Sequence, residues 1–476
     1  MKKKIFITIF MILLLIPFVG MSIYKADLSI EKKYNESFPS FIEKGKVNVS
    51  FFQQMTDYVA DRFAFRQEMI TADAEIKAGV FKSSSNDKVV VGKDGWLFFR
   101  DTLNDYQGKD VMNERELHNC AKVLRLIQDG TRKAGAQFAF AVAPNKNSLY
   151  GEYMPDRFVI LNDKGNLDGL RKEMREQKVN YIDLMTPLKK AKKQNKQVYH
   201  KLDTHWNNLG TSIGCENIMD NLKRDHVDYS NKTYAQKKNF SGDLQGMLFP
   251  KSTKKDWNME YETKNTYHYV NRVESTEQIE IKTDNDKGNG KNILMYRDSF
   301  GNALVPFMAQ EYQKGYFTKE VPYDISLVDS EKADDVVIEL AQRQIPTLLE
   351  GVPYMMAPGV SFDEDVKDTS KTNATMTVDE VEGADNVISI YGEADKRWTD
   401  DDSEVYISLY GKKNLLMYEA FPSVYDPTDA EADRAYSYGA YIDISSVPKD
   451  NYQIEIITKK AGSYYTTGFL NKYVVK

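Results

Sequence analysis

The chain is poor in residues that cross-link or ligate. Its 476 residues hold two cysteines, Cys120 and Cys215, and five histidines. Two cysteines exclude a disulfide framework, and neither sits at a spacing that metal sites use. They read as buried thiols or as one bridge, a choice that rests on a distance. No two histidines share a helix face beside a carboxylate in the H-E-x-x-H manner, so no metal is expected. No cofactor is expected either. A surplus of positive charge is also lacking: 64 Lys and Arg stand against 70 Asp and Glu, a net charge of −6. The basic residues are spread along the chain, which argues against nucleic acid as a partner.

One long run has no charge at all. Residues 5–24 follow Lys2, Lys3 and Lys4 and precede Lys25. About 20 apolar residues span a bilayer as a helix, and the leading lysines would remain in the cytoplasm. Residues 1–24 are therefore expected to be a single-pass transmembrane anchor that places the bulk of the chain outside the cell membrane. A cleaved signal peptide is the rival. The run exceeds a usual signal core, and no small-x-small cleavage site is evident near Gly20 to Ala26.

The remainder is globular in composition, 41% hydrophobic and 12% aromatic. Its length calls for two or three domains. Residues 25–85 carry apolar side chains such as Phe52, Met55, Val59 and Phe63 at helical spacing, with Asp61, Arg62 and Arg66 opposite. Residues 82–88 are a polar linker. Val89-Val90-Val91 and Trp96-Leu97-Phe98-Phe99 flank Gly92-Lys93-Asp94-Gly95, a hairpin signal. Apolar strand-like runs then alternate with helical patterns from residue 114 to residue 339. That alternation predicts an α/β domain over 86–358, a mainly parallel sheet covered by helices. Ligands of such sheets bind beyond the carboxyl ends of the strands, where Asn145, Lys146, Asp183 and the segment 297–299 would gather. Residues 225–290 form a polar excursion of the kind that builds lids or walls. Its Trp257, Tyr261, Tyr267 and Tyr269 are candidates for a sugar groove or, equally, for edge strands. Residues 359–377 lack dense hydrophobic periodicity and read as a linker. Short alternating strands separated by turn signals over 378–476 imply a β-sandwich.

Two stretches carry the chemistry. Residues 292–310, NILMYRDSFGNALVPFMAQ, read as strand, tight corner and helix. That arrangement lifts a serine hydroxyl out of a sheet and offers helix N-terminal N–H groups to an oxyanion. Ser299 is the candidate nucleophile; a serine that merely caps the helix is the bland reading. Residues 199–208, YHKLDTHWNN, place Asp203 two residues before His205. In an extended segment both side chains point the same way, so the carboxylate would orient the imidazole as a general base.

These stretches together resemble the DHHW-type, SGNH-hydrolase-like proteins related to alginate O-acetyltransferases. Asp203-Thr204-His205-Trp206 is followed by Arg297-Asp298-Ser299-Phe300. Residues 89–99 resemble the entry hairpin of that family, and Ala143-Pro144-Asn145-Lys146 its Pro-x-Lys loop. Ser241-Gly242-Asp243-Leu244 resembles its Gly-Asp-Leu segment, and residues 333–343 its last core strand with Glu339 and Arg343 trailing. Two departures stand out: Arg297 replaces the Gly of Gly-Asp-Ser, and the Asp-His pair precedes the serine. The resemblance implies a three-layer domain and acyl transfer by Ser299, His205 and Asp203. It implies acetyl as the group and an exopolysaccharide or cell-wall glycan as acceptor. It also implies a membrane-bound O-acyltransferase as supplier of the donor. The backbone N–H of Ser299 would hold the oxyanion, with Asn145, Arg297 and Asn302 as candidates for a second donor; Lys146 and Trp206 would shape the pocket. The C-terminal sandwich resembles carbohydrate-binding modules of some alginate acetyltransferases. A carbohydrate acetylesterase with the same triad, and a non-catalytic glycan-binding scaffold, are the alternatives.

Overall fold

A computed structural model describes residues 2–21, 37–43, 45–361, 365–369 and 372–475. Its centre is a seven-stranded sheet. In chain order the strands are β1 (Gln137–Ala143), β2 (Tyr181–Ile182), β3 (His268–Tyr269), β4 (Glu280–Asp284), β5 (Asn292–Tyr296), β6 (Lys314–Thr318) and β7 (Asp335–Ala341). They lie in the order β2-β1-β7-β5-β6-β4-β3. The first five positions of that order pair in parallel, and β4 and β3 extend the sheet antiparallel. Sequence alternation explains how both faces are covered. Phe138, Phe140 and Val142 of β1 face one helical layer with Leu294, Tyr296 and Ile338. Ala139, Ala141 and Ala143 face the other. The small alanines leave room on that side for Tyr199, Trp206 and Phe300, all buried there. Burying each such aromatic contributes roughly 1.5–3 kcal/mol. The α/β expectation thus holds, and its physical basis is the two-faced pattern of the strands.

The helix Glu114–Lys133 begins with a capping box in which Asn113 and Glu116 bond reciprocally. It is two-sided. Leu117, Val123, Leu124 and Ile127 pack on the sheet, whereas Leu126 joins Val352, Phe421 and Tyr441 on the C-terminal side. Arg115 donates to the carbonyl oxygens of Ala435 and Asp400. Buried Lys122 bridges the carboxylates of Glu404 and Glu419. The C-terminal part consists of a six-stranded and a three-stranded sheet. They share one core, in which Ile388, Ile390 and Ile442 meet Ile407, Ile454 and Ile456. The stretch expected as a linker departs from that reading. Gly359–Val360 and Val366–Asp368 are the two edge strands of the six-stranded sheet. Edge strands pair on one side only and need little apolar patterning, so their sequence gave no signal. Residues 362–364 and 370–371 of that stretch lie outside the described residues.

The N-terminal expectation is also corrected. Among the described residues, no helix is long and apolar enough to cross a membrane. The helix that forms, Lys2–Gly20, has 19 residues, opens with three lysines and contains Pro17. Its uncharged part, residues 5–20, rises about 24 Å against a hydrocarbon core of roughly 30 Å. Residues 1 and 22–24 of the expected anchor, and 25–36 and 44 of the next segment, lie outside the described residues. Beyond them come the helices Phe51–Arg62 and Arg66–Val80. Both cysteines are buried free thiols, so the bridge is not formed.

Removing the ammonium from between Glu404 and Glu419 deprives Glu419 of its bridging cation and leaves Glu404 only the longer contact with Lys459, 3.4 Å. Lys122→Ala is expected to lower stability by about 3–5 kcal/mol, read as an earlier midpoint in urea unfolding; an unchanged midpoint would show that the cluster is solvated.

Candidate active site

The nucleophile candidate sits on the corner that the sequence announces. β5 ends at Tyr296 and four residues separate it from the helix Gly301–Glu311. The corner is fixed from both sides. Arg297 N–H donates to Thr318 O of β6, 2.9 Å. Asp298 accepts Phe300 N–H on one oxygen and Ala341 N–H on the other, each 2.8 Å. A Cβ at Gly301 would fall 2.4 Å from the Arg297 Cβ, so only glycine lets the helix start so close over the corner.

His205 reaches Ser299 from a separate loop, with Nε2 2.9 Å from Oγ. Its Nδ1 lies 2.8 Å from Asp203 Oδ1. Residues 201–205 are bends rather than extended strand. The pair meets because Asp203 Oδ1 also accepts the His205 backbone N–H at 2.8 Å, a local side-chain turn. The other oxygen, Oδ2, accepts Asp243 N–H at 2.7 Å. Gly242 makes that approach possible, since a Cβ there would fall 2.2 Å from Leu202 O. Trp206 follows and donates Nε1–H to Phe300 O at 3.1 Å, tying the histidine loop to the serine corner.

The electrostatics suit proton transfer. Burial alone would lower the His205 imidazole, but its bond to Asp203 and the charges of Asp203, Asp243 and Asp298 raise it above its ordinary value. Burial would raise Asp203, yet its bonds to His205 and Asp243 N–H hold it well below the carboxylate range. Asp243 is pushed up to about 6 by burial and by Asp203; its Oδ2 is 3.8 Å from His205 Nδ1. Sequence reading expected no metal cluster. Among the described residues, ligand atoms of Asp203, His205 and Asp243 do lie within 4.8 Å of one another. Both Asp203 oxygens and both His205 nitrogens are already committed to the hydrogen bonds given above, and Asp243 Oδ1 accepts the Thr204 and Leu244 N–H groups.

All three candidate catalytic residues line one cleft of about 1210 Å³. Arg66, Ile70 and Asn86 form one wall, and Phe240, Gly242 and Met247 of the polar excursion another. Trp206 and Asn302 line it as well. The other expected positions do not. Asn145 is fully buried, with its amide on Asp105 at 2.8 Å, so it is not a cleft donor. Lys146 lies beneath the histidine loop, where its ammonium is held by the carbonyl oxygens of His200, Lys201 and Asp203. Burial pushes it down to about 8. It braces the backbone instead of shaping the pocket. Arg297 is buried behind the corner and points its guanidinium at Asn302. The aromatics proposed for a sugar groove are elsewhere: Tyr261 packs edge-on against Tyr229 and Tyr234, and Tyr269 is in β3. Sequence reading missed Asp243, visible only as part of a motif without a role, and Arg343. The Arg343 guanidinium lies over the Phe300 ring at 5.6 Å in the same cleft.

Part of the chain is similar to known proteins. Residues 89–286 match the family described as SGNH hydrolase-like domain, acetyltransferase AlgX. The chain resembles the SGNH-hydrolase-like proteins related to alginate O-acetyltransferases. The match includes Asp203 and His205 and ends before Ser299. The "Probable alginate O-acetylase AlgJ" of Pseudomonas putida is 28% identical over 137 residues, 29% of this chain and 34% of that protein. The chain thus spans about a third of the length of the curated relatives it matches. Among solved structures, a DHHW family protein from Eubacterium siraeum is similar over 54% of this chain and 94% of its own, with 16% identity and a TM-score of 0.41. Bacillus cereus PatB1 is similar over 55% and 97%, with 17% identity and a TM-score of 0.45.

A general base acts when neutral, so activity should climb as pH rises through the His205 pKa, set above the ordinary value of about 6.5. Asp243→Asn deletes a nearby negative charge that favours the imidazolium. The ascending limb of kcat/KM should therefore move to lower pH, as measured on a chromogenic acetyl ester. An unmoved limb would show that Asp243 does not act on His205.

Proposed function

We propose that the chain is an O-acetyltransferase that acts through an acyl-serine on hydroxyl groups of a polysaccharide. The observation that carries this reading is the continuous relay from Ser299 Oγ to His205 Nε2 and from Nδ1 to Asp203, 2.9 and 2.8 Å. Ser299 Oγ attacks the acyl carbonyl while His205 Nε2 takes its proton. Asp203 holds the imidazole in the required tautomer and stabilises its charged form. The Ser299 N–H donates to no protein acceptor among the described residues, which leaves it for the oxyanion. Collapse of the tetrahedral species expels the donor's leaving group with the proton from His205. A sugar hydroxyl then gives its proton to His205, attacks the ester carbonyl and carries off the acetyl group. The regained proton restores Ser299.

The matched relatives are named for alginate O-acetylation, which supports a polysaccharide acceptor. Supply of acetyl by a membrane-bound O-acyltransferase is part of the same proposal. So is an extracytoplasmic position held at the membrane by the Lys2–Gly20 helix, whose Phe6, Ile7, Phe10 and Val19 are exposed beside the leading lysines. Exposed apolar side chains are costly in water, and a lipid phase would relieve that cost.

The test incubates the full chain in detergent with a chromogenic acetyl ester and oligosaccharide acceptors, reading acetylated sugar by mass and acetate by enzymatic assay. Acetylated sugar in excess of acetate is expected; acetate alone would make the chain an esterase. Ser299→Ala should remove both products, a loss of about 10⁶-fold if it parallels serine hydrolases, with folding intact. Asp203→Asn should cost about 10⁴-fold through the wrong tautomer. Full activity in Ser299→Ala would overturn the nucleophile.

A further inference from the structure

An acyl-transfer site needs more than one donor for the oxyanion, and the Ser299 N–H supplies one. We infer that the second is the side-chain amide of Asn302, aimed into the cleft by Arg297 as its positioning residue; this rests on the acyl-serine reading above.

Asn302 is the second residue of the helix Gly301–Glu311 and lines the cleft together with Ser299. Arg297 Nη1 donates to Asn302 Oδ1. A guanidinium has no acceptor atom, so this contact settles which end of the amide faces which way. The carbonyl oxygen points back at Arg297 and the NH2 group is turned away from it. Among the described residues, Nδ2 donates to no protein acceptor, so its two hydrogens remain for a ligand in the cleft. The orientation follows from the chemistry of the arginine and from no other contact of Asn302.

Arg297 is itself locked. Only 3% of it is exposed. Its Nη2 donates to Gln278 O at 2.8 Å, and its backbone N–H bonds to β6. Burial pushes the guanidinium down to about 10, which still leaves it charged at neutral pH. Its Nε has no hydrogen-bond partner among the described residues. A buried cation whose direct hydrogen-bond partners are two neutral carbonyl oxygens stays expensive as a structural element, although the nearby Glu339, Glu277 and Asp298 carboxyls offset part of the cost. The expense is understandable if the charge polarises the amide and places positive potential behind the developing oxyanion. Gly301 completes the device, because its missing Cβ lets the first helical turn close onto Arg297 and brings Asn302 within reach. The residue that departs from the Gly-Asp-Ser pattern therefore has a role in the site without touching the reacting atoms.

The test uses the full chain and a chromogenic acetyl ester. Asn302→Asp keeps the shape and the bond to Arg297 but has no hydrogen to donate. It should lower kcat by about 10²–10³-fold, with KM within about threefold and an unchanged melting temperature. Asn302→Ala should lower kcat alike, with a lower melting temperature because the buried Arg297 Nη1 loses its acceptor. Arg297→Met should lower kcat without raising KM, and Arg297→Lys should restore part of it. In the Asn302→Ala background, Arg297→Met should cost nothing further, because its effect passes through the amide. Where Arg297→Met does not melt cooperatively, Arg297→Lys takes its place in the cycle. A kcat within about threefold of wild type in both Asn302 variants overturns the donor assignment. Losses that multiply independently in the cycle overturn the positioning role. If Ser299→Ala also retains activity, the acyl-serine reading itself has failed; if Ser299→Ala is inert while the Asn302 variants are active, only this inference has.

Discussion

The site depends on one buried carboxylate. Asp203 collects three N–H groups: the imidazole and backbone of His205, and the backbone of Asp243. A carboxylate so supplied stays ionised despite its burial, and an ionised carboxylate is what holds a neutral imidazole with its free nitrogen toward the serine. The surrounding residues can be understood as a frame for that ion. Lys146 grips the carbonyl groups of the same loop from below. Gly242 lets the Asp243 segment approach. Trp206 fastens the loop to the serine corner. None of these touches a reacting atom, yet each fixes the distance across which a proton must move, and small errors in such distances are costly.

The sheet supplies the other half of that distance. β5 carries the serine and is flanked by β6 and β7, and backbone or carboxylate bonds from residues 297 and 298 reach both neighbours. A corner pinned to two strands has little freedom to retreat from the imidazole. The alternation of large and small side chains in β1 decides which face can receive the aromatic cluster around Phe300. Packing on one face of the sheet thereby sets the geometry of the chemistry at its rim.

Much of this was legible in the sequence. The strand-corner-helix at 292–310, the closeness of Asp203 and His205, and the parallel sheet follow from periodicity and spacing, which are local properties. What escaped reading depends on contacts between remote segments. Asp203 and His205 were expected to meet by extended-strand geometry, whereas a side-chain turn brings them together. Lys146 and Asn145 were placed at the rim because they follow β1, but their side chains turn inward, to loop carbonyls and to Asp105. Asp243 carried no periodic signal, and its place beside His205 arises from a backbone approach across 40 residues. The edge strands at 359–360 and 366–368 are short and one-sided, so their sequence resembles a linker. The apolar N-terminal run was legible as a helix, which among the described residues ends at Gly20.

The cleft is a composite, and this has a practical corollary. One of its sides comes from Arg66, Ile70 and Asn86, residues that precede the first strand of the central sheet. Trimming the chain to the compact sheet domain, as is often done to ease purification, would strip away that side and widen the access of water to the serine. A truncated enzyme of this kind would be biased toward spending its ester on water, so a preference for hydrolysis in a shortened protein would be a property of the truncation and not of the native catalyst.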